Sequence, residues 1–180
     1  MAMTVEVRAA RGADDVELVR ELFARYAAGL DVDLSYQGFD RECAGLPQPY
    51  VAPLGSLLLA WLVGNPESTA DATDKRVCGC VAVRPLGKRI AELKRLFVDD
   101  SARGLGVGRL LSEAALRFAA EAGFEAIRLD TLPGMSSAQG LYARLGFYEI
   151  APYYDTPIAG TRFLERRLAD YRSRGGNADG

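Results

Sequence analysis

Apolar and polar positions along the chain follow two different periods, which predicts a fold that mixes strands with helices. Short runs with an alternating or continuous apolar pattern predict seven strands. These strands cover residues 5–9, 56–63, 78–84, 91–98, 126–131, 147–150 and 163–168. The polar segment 64–76 is the predicted loop of a hairpin, and the glycine-rich tail 173–180 is expected to be loosely ordered.

Four helices are predicted between these strands. The first contains apolar residues at helical spacing, and Asp14, with Glu17 three residues later, predicts a capped start. A second, short helix is predicted near residues 39–44, inside irregular loops. Ser136 or Ser137 is the predicted N-cap of the last helix.

The most regular helix follows a glycine-rich loop. Its apolar residues recur every three or four positions without a miss, so they form one core-facing stripe. They are Val107, Leu110, Leu111, Ala114, Ala115, Phe118, Ala119 and Ala122. Gly123 is the predicted end of this helix.

Length and charge limit the classes of function. The chain has 180 residues, which predicts one domain over residues 1–172. Its net charge of −2 argues against a nucleic-acid partner. The longest apolar run, residues 57–63, is far shorter than the roughly 20 residues needed to span a bilayer. The N-terminus has no apolar signal core, so we expect no membrane partner and a cytoplasmic location.

The chain contains no histidine, which excludes Ser-His-Asp and Cys-His catalysis and His-ligated zinc. Proton transfer must therefore use Asp, Glu, Tyr, Lys, Cys or water. The odd number of cysteines, three, argues against a disulfide framework. Cys78 and Cys80 are spaced to share one face of a strand, and we interpret them as small buried hydrophobes rather than half a metal site. No metal is predicted.

The loop at residues 103–108 carries the clearest chemical signal. Gly104, Gly106 and Gly108 let the backbone approach a ligand, and a helix starts directly behind them. The start of a helix adds unpaired N–H groups and a partial positive charge. Together these features suit a pyrophosphate, although a turn that only joins two elements is the alternative.

Two other phosphate-binding motifs fit this loop less well. A P-loop needs Lys followed by Ser or Thr, whereas Arg109 and Leu110 follow the last glycine. A dinucleotide-binding fingerprint needs a third glycine at position 109, although Asp130 ends the next strand as that motif requires. The repeated strand–helix units of a doubly wound sheet are also missing, which disfavours dinucleotide binding.

Two motifs in register resemble a known family. Arg103, Gly106 and Gly108 form Arg-x-x-Gly-x-Gly after a strand that ends at residues 96–98. This pattern resembles motif A of the GNAT N-acetyltransferase superfamily. Residues 141–147, Leu-Tyr-x-x-x-Gly-Phe, resemble the second signature of that family.

The resemblance covers residues 77–150 and is weaker at the first strand and helix. One departure is Met135, which lies where family members often carry Asn. This departure removes one hydrogen bond that would reach the pantetheine arm or Tyr142.

The resemblance implies an α/β (α+β) fold with a mixed, mostly antiparallel central sheet of six or seven strands and helices on both faces. Its fourth and fifth strands would splay apart to admit acetyl-CoA. The backbone of Leu96, Phe97 and Val98 would pair with the pantetheine arm, and an N–H near Phe97 or Val98 would polarise the thioester carbonyl. The pyrophosphate would be held by Arg103, Gly104, Leu105, Gly106, Val107, Gly108 and Arg109.

The reaction so implied is direct attack of an amine on the acetyl thioester, and it needs a proton acceptor. Glu92, at the start of the splayed strand, is the first candidate, and Asp130 and Glu149 are further candidates. The alternative for Glu92 is a solvated strand residue paired with Lys94 or Arg95.

Tyr142 is the candidate acid for the departing thiolate. It also lies on the apolar stripe of the last helix, so a core aromatic is the alternative. The resemblance to the family favours the catalytic role.

Aromatic and acidic residues between the first helix and the second strand are candidates for acceptor binding, because together they suit an amine cation. Tyr36 and Phe39 are the proposed contacts, together with Asp130, and Tyr153 and Tyr154 could line the same cleft. The full set is Tyr26, Tyr36, Phe39, Tyr50, Asp31, Asp33, Asp40 and Glu42. A solvated acidic loop with ordinary packing aromatics is the alternative.

The expected function is transfer of an acetyl group from acetyl-CoA to a small-molecule or peptide amine, and a homodimer is left open. One alternative is an acyl-CoA-binding sensor or interaction module without turnover. Another is a nicotinamide dinucleotide oxidoreductase.

Overall fold

Seven strands form one sheet in the order β1-β2-β3-β4-β5-β7-β6. The structure is a computed structural model that describes residues 3–64 and 75–174. Its strands are β1 Thr4–Ala9, β2 Ser56–Val63, β3 Lys75–Pro85, β4 Ile90–Val98, β5 Ala126–Thr131, β6 Tyr148–Ile150 and β7 Arg162–Arg167. Every neighbouring pair is antiparallel except β4 and β5. The predicted mixed, mostly antiparallel sheet is therefore confirmed, while most of the hairpin loop and the tail beyond residue 174 lie outside the described residues.

Helices cover both faces of this sheet, as predicted. They are α1 Gly12–Ala28, α2 Phe39–Gly45, α3 Val107–Glu121, α4 Ser136–Arg144 and α5 Ala169–Arg174. The sequence pattern did not predict α5, which packs against α3. None of the helices in the described ranges is long and apolar enough to cross a membrane.

Two apolar cores lie on opposite faces of the sheet. On one face, α3 buries Leu111, Ala115 and Ala119 of the predicted stripe, together with Leu116, which the stripe left out. Ser112 is also buried there, and its hydroxyl donates to the carbonyl of Gly108 at 2.8 Å. On the other face, apolar residues of α1 and the loop after α2 pack on β2 and β3. The members of this second core include Val19, Leu22, Phe23, Leu46, Tyr50, Leu57, Leu59, Cys80 and Ala82.

Both predicted helix caps are wrong. Helix α1 begins at Gly12, and the carboxylate of Asp15, not Asp14, accepts the N–H of Arg11 at 2.6 Å. Helix α4 begins at Ser136 behind Met135, and no side chain caps it. In both places the helix starts earlier than the apolar pattern, because the first turn consists of small and polar residues that leave no apolar periodicity.

Cys78 and Cys80 are both buried, but they do not share a face of the sheet. The pairing of β2 with β3 shifts where Ala60 pairs with Gly79 and Trp61 pairs with Val77, so Cys78 is an extra, bulged residue. Cys78 consequently joins the core under α3, and Cys80 joins the core under α1. The predicted common face is wrong because a bulge inverts the alternation of side chains.

Gly79 provides a test of how closely β3 and β4 approach. A Cβ atom at Gly79 would lie 2.7 Å from the carbonyl oxygen of Phe97 and 3.1 Å from Leu111. We expect Gly79→Ala to destabilise the fold by about 1–3 kcal/mol, as overpacking does. The matched control is Gly87→Ala, since a Cβ atom there meets nothing within 4 Å. Urea unfolding measures both, and equal midpoints would contradict this packing.

Candidate active site

A wedge opens between the two parallel strands of the sheet. Strands β4 and β5 pair only through Ile90 with Ala126, Ala91 with Ile127 and Glu92 with Arg128. Both strands continue beyond this point, β4 to Val98 and β5 to Thr131. The edge of β4 that faces β5 therefore has no strand partner after Glu92, which leaves backbone donors and acceptors available to a ligand.

A β-bulge in β4 accompanies this divergence. Cys80 pairs with Phe97 and Ala82 pairs with Lys94, so Arg95 and Leu96 stand opposite the single residue between them on β3. Arg95 has φ +57°, a left-handed conformation that is costly for a residue with a Cβ atom. Because of the bulge, the consecutive side chains of Lys94 and Arg95 both reach Gln37, on the face of the sheet that α1 and α2 cover.

Arg95 is held by a buried network. Its guanidinium donates to both carboxylate oxygens of Glu42, at 3.1 and 2.6 Å, and to the side-chain oxygen of Gln37 at 2.9 Å. It also lies over the rings of Phe39 and Tyr26, at 5.1 and 5.8 Å from their centroids. Burial opposes the ionisation of Glu42, but the hydrogen bonds and charge of Arg95 outweigh it and lower the pKa of that carboxyl. The contacts of this network offset the conformational cost of the left-handed backbone at Arg95 and so stabilise the bulge.

The glycine loop presents free backbone amides at the start of α3. Gly104 and Gly106 have φ of +82° and +76°, and a Cβ atom on either would meet nothing within 4 Å. The N–H groups of Arg103 and Leu105 bond within the loop, to Asp100 and Ala102. Among the described residues, the N–H groups of the remaining loop positions have no acceptor. Those positions are Gly104, Gly106, Val107, Gly108 and Arg109.

A small pocket at the wedge brings several polar side chains together. Lys94, Asp130, Thr131 and Tyr142 line it, with Tyr26 and Met135 among their neighbours. The hydroxyl of Thr131 is buried and has no hydrogen-bond partner in the part of the chain that the structure describes. A buried hydroxyl without a partner is unfavourable, so this pocket is suited to a polar ligand.

The position of Tyr142 fits both interpretations from the sequence, a core aromatic residue and a residue of the candidate site. Its ring packs edge-on against Phe147 in the core under α3, with centroids 5.5 Å apart. It also lines the wedge pocket. Burial raises the pKa of Tyr142, and the charges of Tyr26 and Asp130 raise it further, so the hydroxyl is protonated at neutral pH.

Glu92 is placed differently from the expectation. It is fully buried rather than solvated, and its partner is Arg84 on β3, at 2.7 Å, rather than Lys94 or Arg95. Its second oxygen accepts the hydroxyl of Tyr153 at 3.1 Å. Both oxygens are thus occupied, at a position where β4 and β5 are still paired. Glu149 is exposed and forms an ion pair with Arg162.

The aromatic and acidic residues after α1 do not converge on the wedge as one group. Tyr50 is a core residue that donates to Glu42 at 2.5 Å, and Glu42 is neutralised by Arg95. The remaining acids, Asp31, Asp33 and Asp40, are exposed. This part of the structure matches the alternative of a solvated acidic loop with packing aromatics.

Tyr36, Gln37 and Tyr154 close the α1/α2 side of the wedge. The amide of Gln37 donates to the hydroxyl of Tyr36 at 2.9 Å and to the hydroxyl of Tyr154 at 3.3 Å. Tyr154 packs with Tyr153 and Phe163, with ring centroids 5.1 to 5.5 Å apart. Sequence reasoning missed Gln37 and Lys94, because neither belongs to a motif and their contact depends on how distant parts of the chain pack.

Within residues 3–64 and 75–174, no group of three or more Cys, Asp or Glu side chains could hold a metal ion.

Comparisons with known proteins identify relatives with the same architecture. The model of the acetyltransferase (GNAT) family matches residues 36–147. An uncharacterised N-acetyltransferase of Schizosaccharomyces pombe is 30% identical over 92% of this chain and 96% of its own. A GNAT-family acetyltransferase structure from Staphylococcus aureus superposes with a TM-score of 0.69 at 22% identity, over 92% of this chain and 99% of its own.

One solved structure contains the acetyl donor. The yncA acetyltransferase of Salmonella typhimurium, crystallised with acetyl-CoA, superposes with a TM-score of 0.60 at 14% identity. The alignment covers 91% of this chain and 94% of the other.

The buried pair of Arg95 and Glu42 is expected to support the fold more than an exposed pair does. We expect Glu42→Gln to destabilise the protein by about 3–5 kcal/mol, because it leaves the charge of Arg95 buried and uncompensated. The control is Glu149→Gln, which removes an exposed partner of Arg162 and is expected to cost less than about 1 kcal/mol.

The same pair predicts a pH dependence. The pKa of Glu42 is lower in the folded state than its value of about 4.3 in an unfolded chain. The ionised carboxylate therefore contributes to the free energy of unfolding above that pH, and this contribution is lost as acid protonates the folded carboxyl. Denaturant unfolding at several pH values should show that the difference in free energy of unfolding between wild type and Glu42→Gln becomes smaller below about pH 4.3. A gap that stays constant down to the acid limit of folding would contradict the assignment.

Proposed function

Since this chain belongs to the GNAT acetyltransferase family, we propose that it transfers the acetyl group of acetyl-CoA to a primary amine. The observation that carries this proposal is the unpaired edge of β4 beyond Glu92, which lies beside a loop with five free amides. An extended ligand arm can pair with the edge while its phosphates bind the loop.

Acetyl-CoA would supply an activated acetyl group, and the residues present fit it. The backbone of Leu96, Phe97 and Val98 would bind the pantetheine arm as an added strand does. The free amides from Gly104 to Arg109 would hold the pyrophosphate, helped by the positive end of α3. The unpartnered hydroxyl of Thr131 gives the wedge a further polar contact.

Tyr142 is proposed to protonate the leaving sulfur. Tyr142 lines the pocket at the wedge, and burial raises the pKa of its hydroxyl, which keeps it protonated. A hydrogen bond that strengthens as the sulfur gains charge stabilises the transition state.

Asp130 is favoured over Glu92 as the proton acceptor. Asp130 lines the wedge pocket and forms no ion pair among the described residues, whereas both oxygens of Glu92 are engaged by Arg84 and Tyr153. The carboxylate of Asp130 thus has no cationic partner within the described ranges and can accept a proton from a bound ammonium, whereas both oxygens of Glu92 already accept hydrogen bonds.

The direct test of this proposal follows release of free thiol from acetyl-CoA in the presence of a broad panel of amines. Thiol release that depends on an amine, with the acetylated amine identified by mass spectrometry, supports an enzyme. Calorimetric binding of acetyl-CoA without thiol release from any amine would instead indicate a binding module without turnover.

Replacing the proposed acid should lower the rate without weakening donor binding. We expect Tyr142→Phe to reduce kcat by about 100-fold, as loss of general acid catalysis does, with little change in KM for acetyl-CoA. Tyr148→Phe is the control, because Tyr148 is exposed on β6. Wild-type turnover by Tyr142→Phe would remove this role and leave Tyr142 a core aromatic.

A substitution at Gly106 tests whether the glycine loop binds acetyl-CoA. We expect Gly106→Val to weaken the binding of acetyl-CoA at least about 10-fold, because a branched side chain at positive φ disturbs the loop that presents the amides. Gly123→Val is a matched control: it has φ +92° and equally open space but lies after α3, away from the loop. Calorimetry with coenzyme A measures both. Equal losses of affinity would show that backbone strain alone, and not the loop, is responsible.

A further inference from the structure

The walls of the wedge carry opposite charges at facing positions. Glu92 and Arg128 form the last pair between β4 and β5, and Lys94 and Asp130 each lie two residues further along. Because side chains alternate along a strand, Lys94 and Asp130 lie on the same face as that last pair. They therefore face each other across the opening, and both line its pocket.

The two charges do not neutralise each other. Paired strands lie only about 4.8 Å apart, at which distance facing Lys and Asp side chains easily meet. Here the splay separates the strands, and no ion pair forms between Lys94 and Asp130. Asp130 is still near enough for its charge to act on Lys94. The two groups therefore line one small pocket without contacting each other.

Lys94 is a buried cation without a carboxylate partner. Its side chain is 8% exposed, and the contact of its ammonium is the side-chain oxygen of Gln37, at the long distance of 3.5 Å. Burial lowers the pKa of Lys94 although the nearby charge of Glu92 opposes it, and the cations Arg95 and Arg84 act in the same direction as burial. An ammonium has three donors, and burying it with one long hydrogen bond and no ion pair is costly.

The neighbouring basic residues, in contrast, are all paired. Arg84 has Glu92 as its partner, Arg95 has Glu42, and Arg128 has Glu165 at 2.7 Å. Lys94 and Asp130 are thus the cation and the anion of this pocket that the described residues leave without an ion pair.

On the basis of the proposed acetyl transfer, we propose that the acceptor is a zwitterion, an amino acid whose carboxylate binds Lys94 and whose ammonium binds Asp130. This arrangement reverses the expectation of a purely cationic amine. Lys94 disfavours a polyamine, because its charge would repel the second ammonium of that ligand. The same charge favours a carboxylate adjacent to the reacting nitrogen.

The same placement accounts for the protons of the reaction. Asp130 takes one proton from the bound ammonium, which frees the nitrogen lone pair. A bond then forms between nitrogen and the acetyl carbon, and the bond from that carbon to sulfur breaks. The departing sulfur takes a proton from Tyr142, and the second excess proton of the nitrogen passes to the Tyr142 oxygen, so that Tyr142 ends the reaction protonated.

The test compares amino acids with matched amines that lack the carboxylate. Thiol release from acetyl-CoA is measured for the twenty free amino acids, and for the amide and the decarboxylated amine of the best one. We expect kcat/KM for the free amino acid to exceed that of either derivative by about 10- to 100-fold, the effect of one charged hydrogen bond.

Variants show which residues distinguish the amino acid from its derivatives without a carboxylate. Lys94→Met keeps the length of the side chain without its charge, and we expect it to lower kcat/KM for the amino acid about 10- to 100-fold, with less than about a threefold change for the amide. Asp130→Asn should impair both acceptors. Lys88→Met, in an exposed turn, is the control for removing a lysine charge. Calorimetry with coenzyme A confirms that each variant is folded.

The outcomes separate this inference from the proposed function. Equal kcat/KM for the amino acid and its derivatives, or equal loss of both in Lys94→Met, would overturn the zwitterion and leave the acetyltransferase in place. Absence of thiol release with every amine would overturn both.

Discussion

The ion pair between Arg95 and Glu42 is the interaction on which the candidate active site depends. Arg95 adopts a left-handed backbone conformation in the middle of a strand, at a cost of about 1–2 kcal/mol. Two hydrogen bonds to Glu42, one to Gln37 and two aromatic rings hold its side chain in place. We infer that this network keeps β4 bulged, and the bulge lies at the point where β4 leaves β5.

The divergence of the two strands has consequences on both faces of the sheet. Toward α3, it leaves the edge of β4 and the hydroxyl of Thr131 without partners, next to the amides of the glycine loop. Toward α1 and α2, it separates Lys94 from Asp130. Under the proposed function, this one local distortion of the backbone provides a place for the donor on one side and for the acceptor on the other, and Tyr142 lines the pocket at the wedge.

Elements with strong local signals could be predicted from the sequence. The continuous apolar run predicted the bounds of strand β2, Ser56–Val63, and the apolar stripe behind the glycine loop predicted helix α3, which begins at Val107. The splay of β4 and β5 came from the resemblance to a family, not from the periodicity.

Features that depend on pairing between distant strands could not be predicted. The partner of Glu92 is Arg84, eight residues earlier on the adjacent strand, and strand register decides that contact. Two bulges place Cys78 and Cys80 on opposite faces, and Lys94 and Arg95 on a common face. The residue types at these positions do not predict a bulge. The misplaced caps at Asp14 and Ser136 have a different cause, since those helices begin with small and polar residues that leave no apolar pattern.

The most direct measurement of the central claim is residue-resolved amide hydrogen exchange with and without coenzyme A. If the open edge of β4 and the glycine loop bind the ligand, exchange should slow at residues 96–98 and 104–109, and stay unchanged on the β1 side of the sheet. Protection confined to other segments, or unchanged exchange at saturating coenzyme A, would contradict the account.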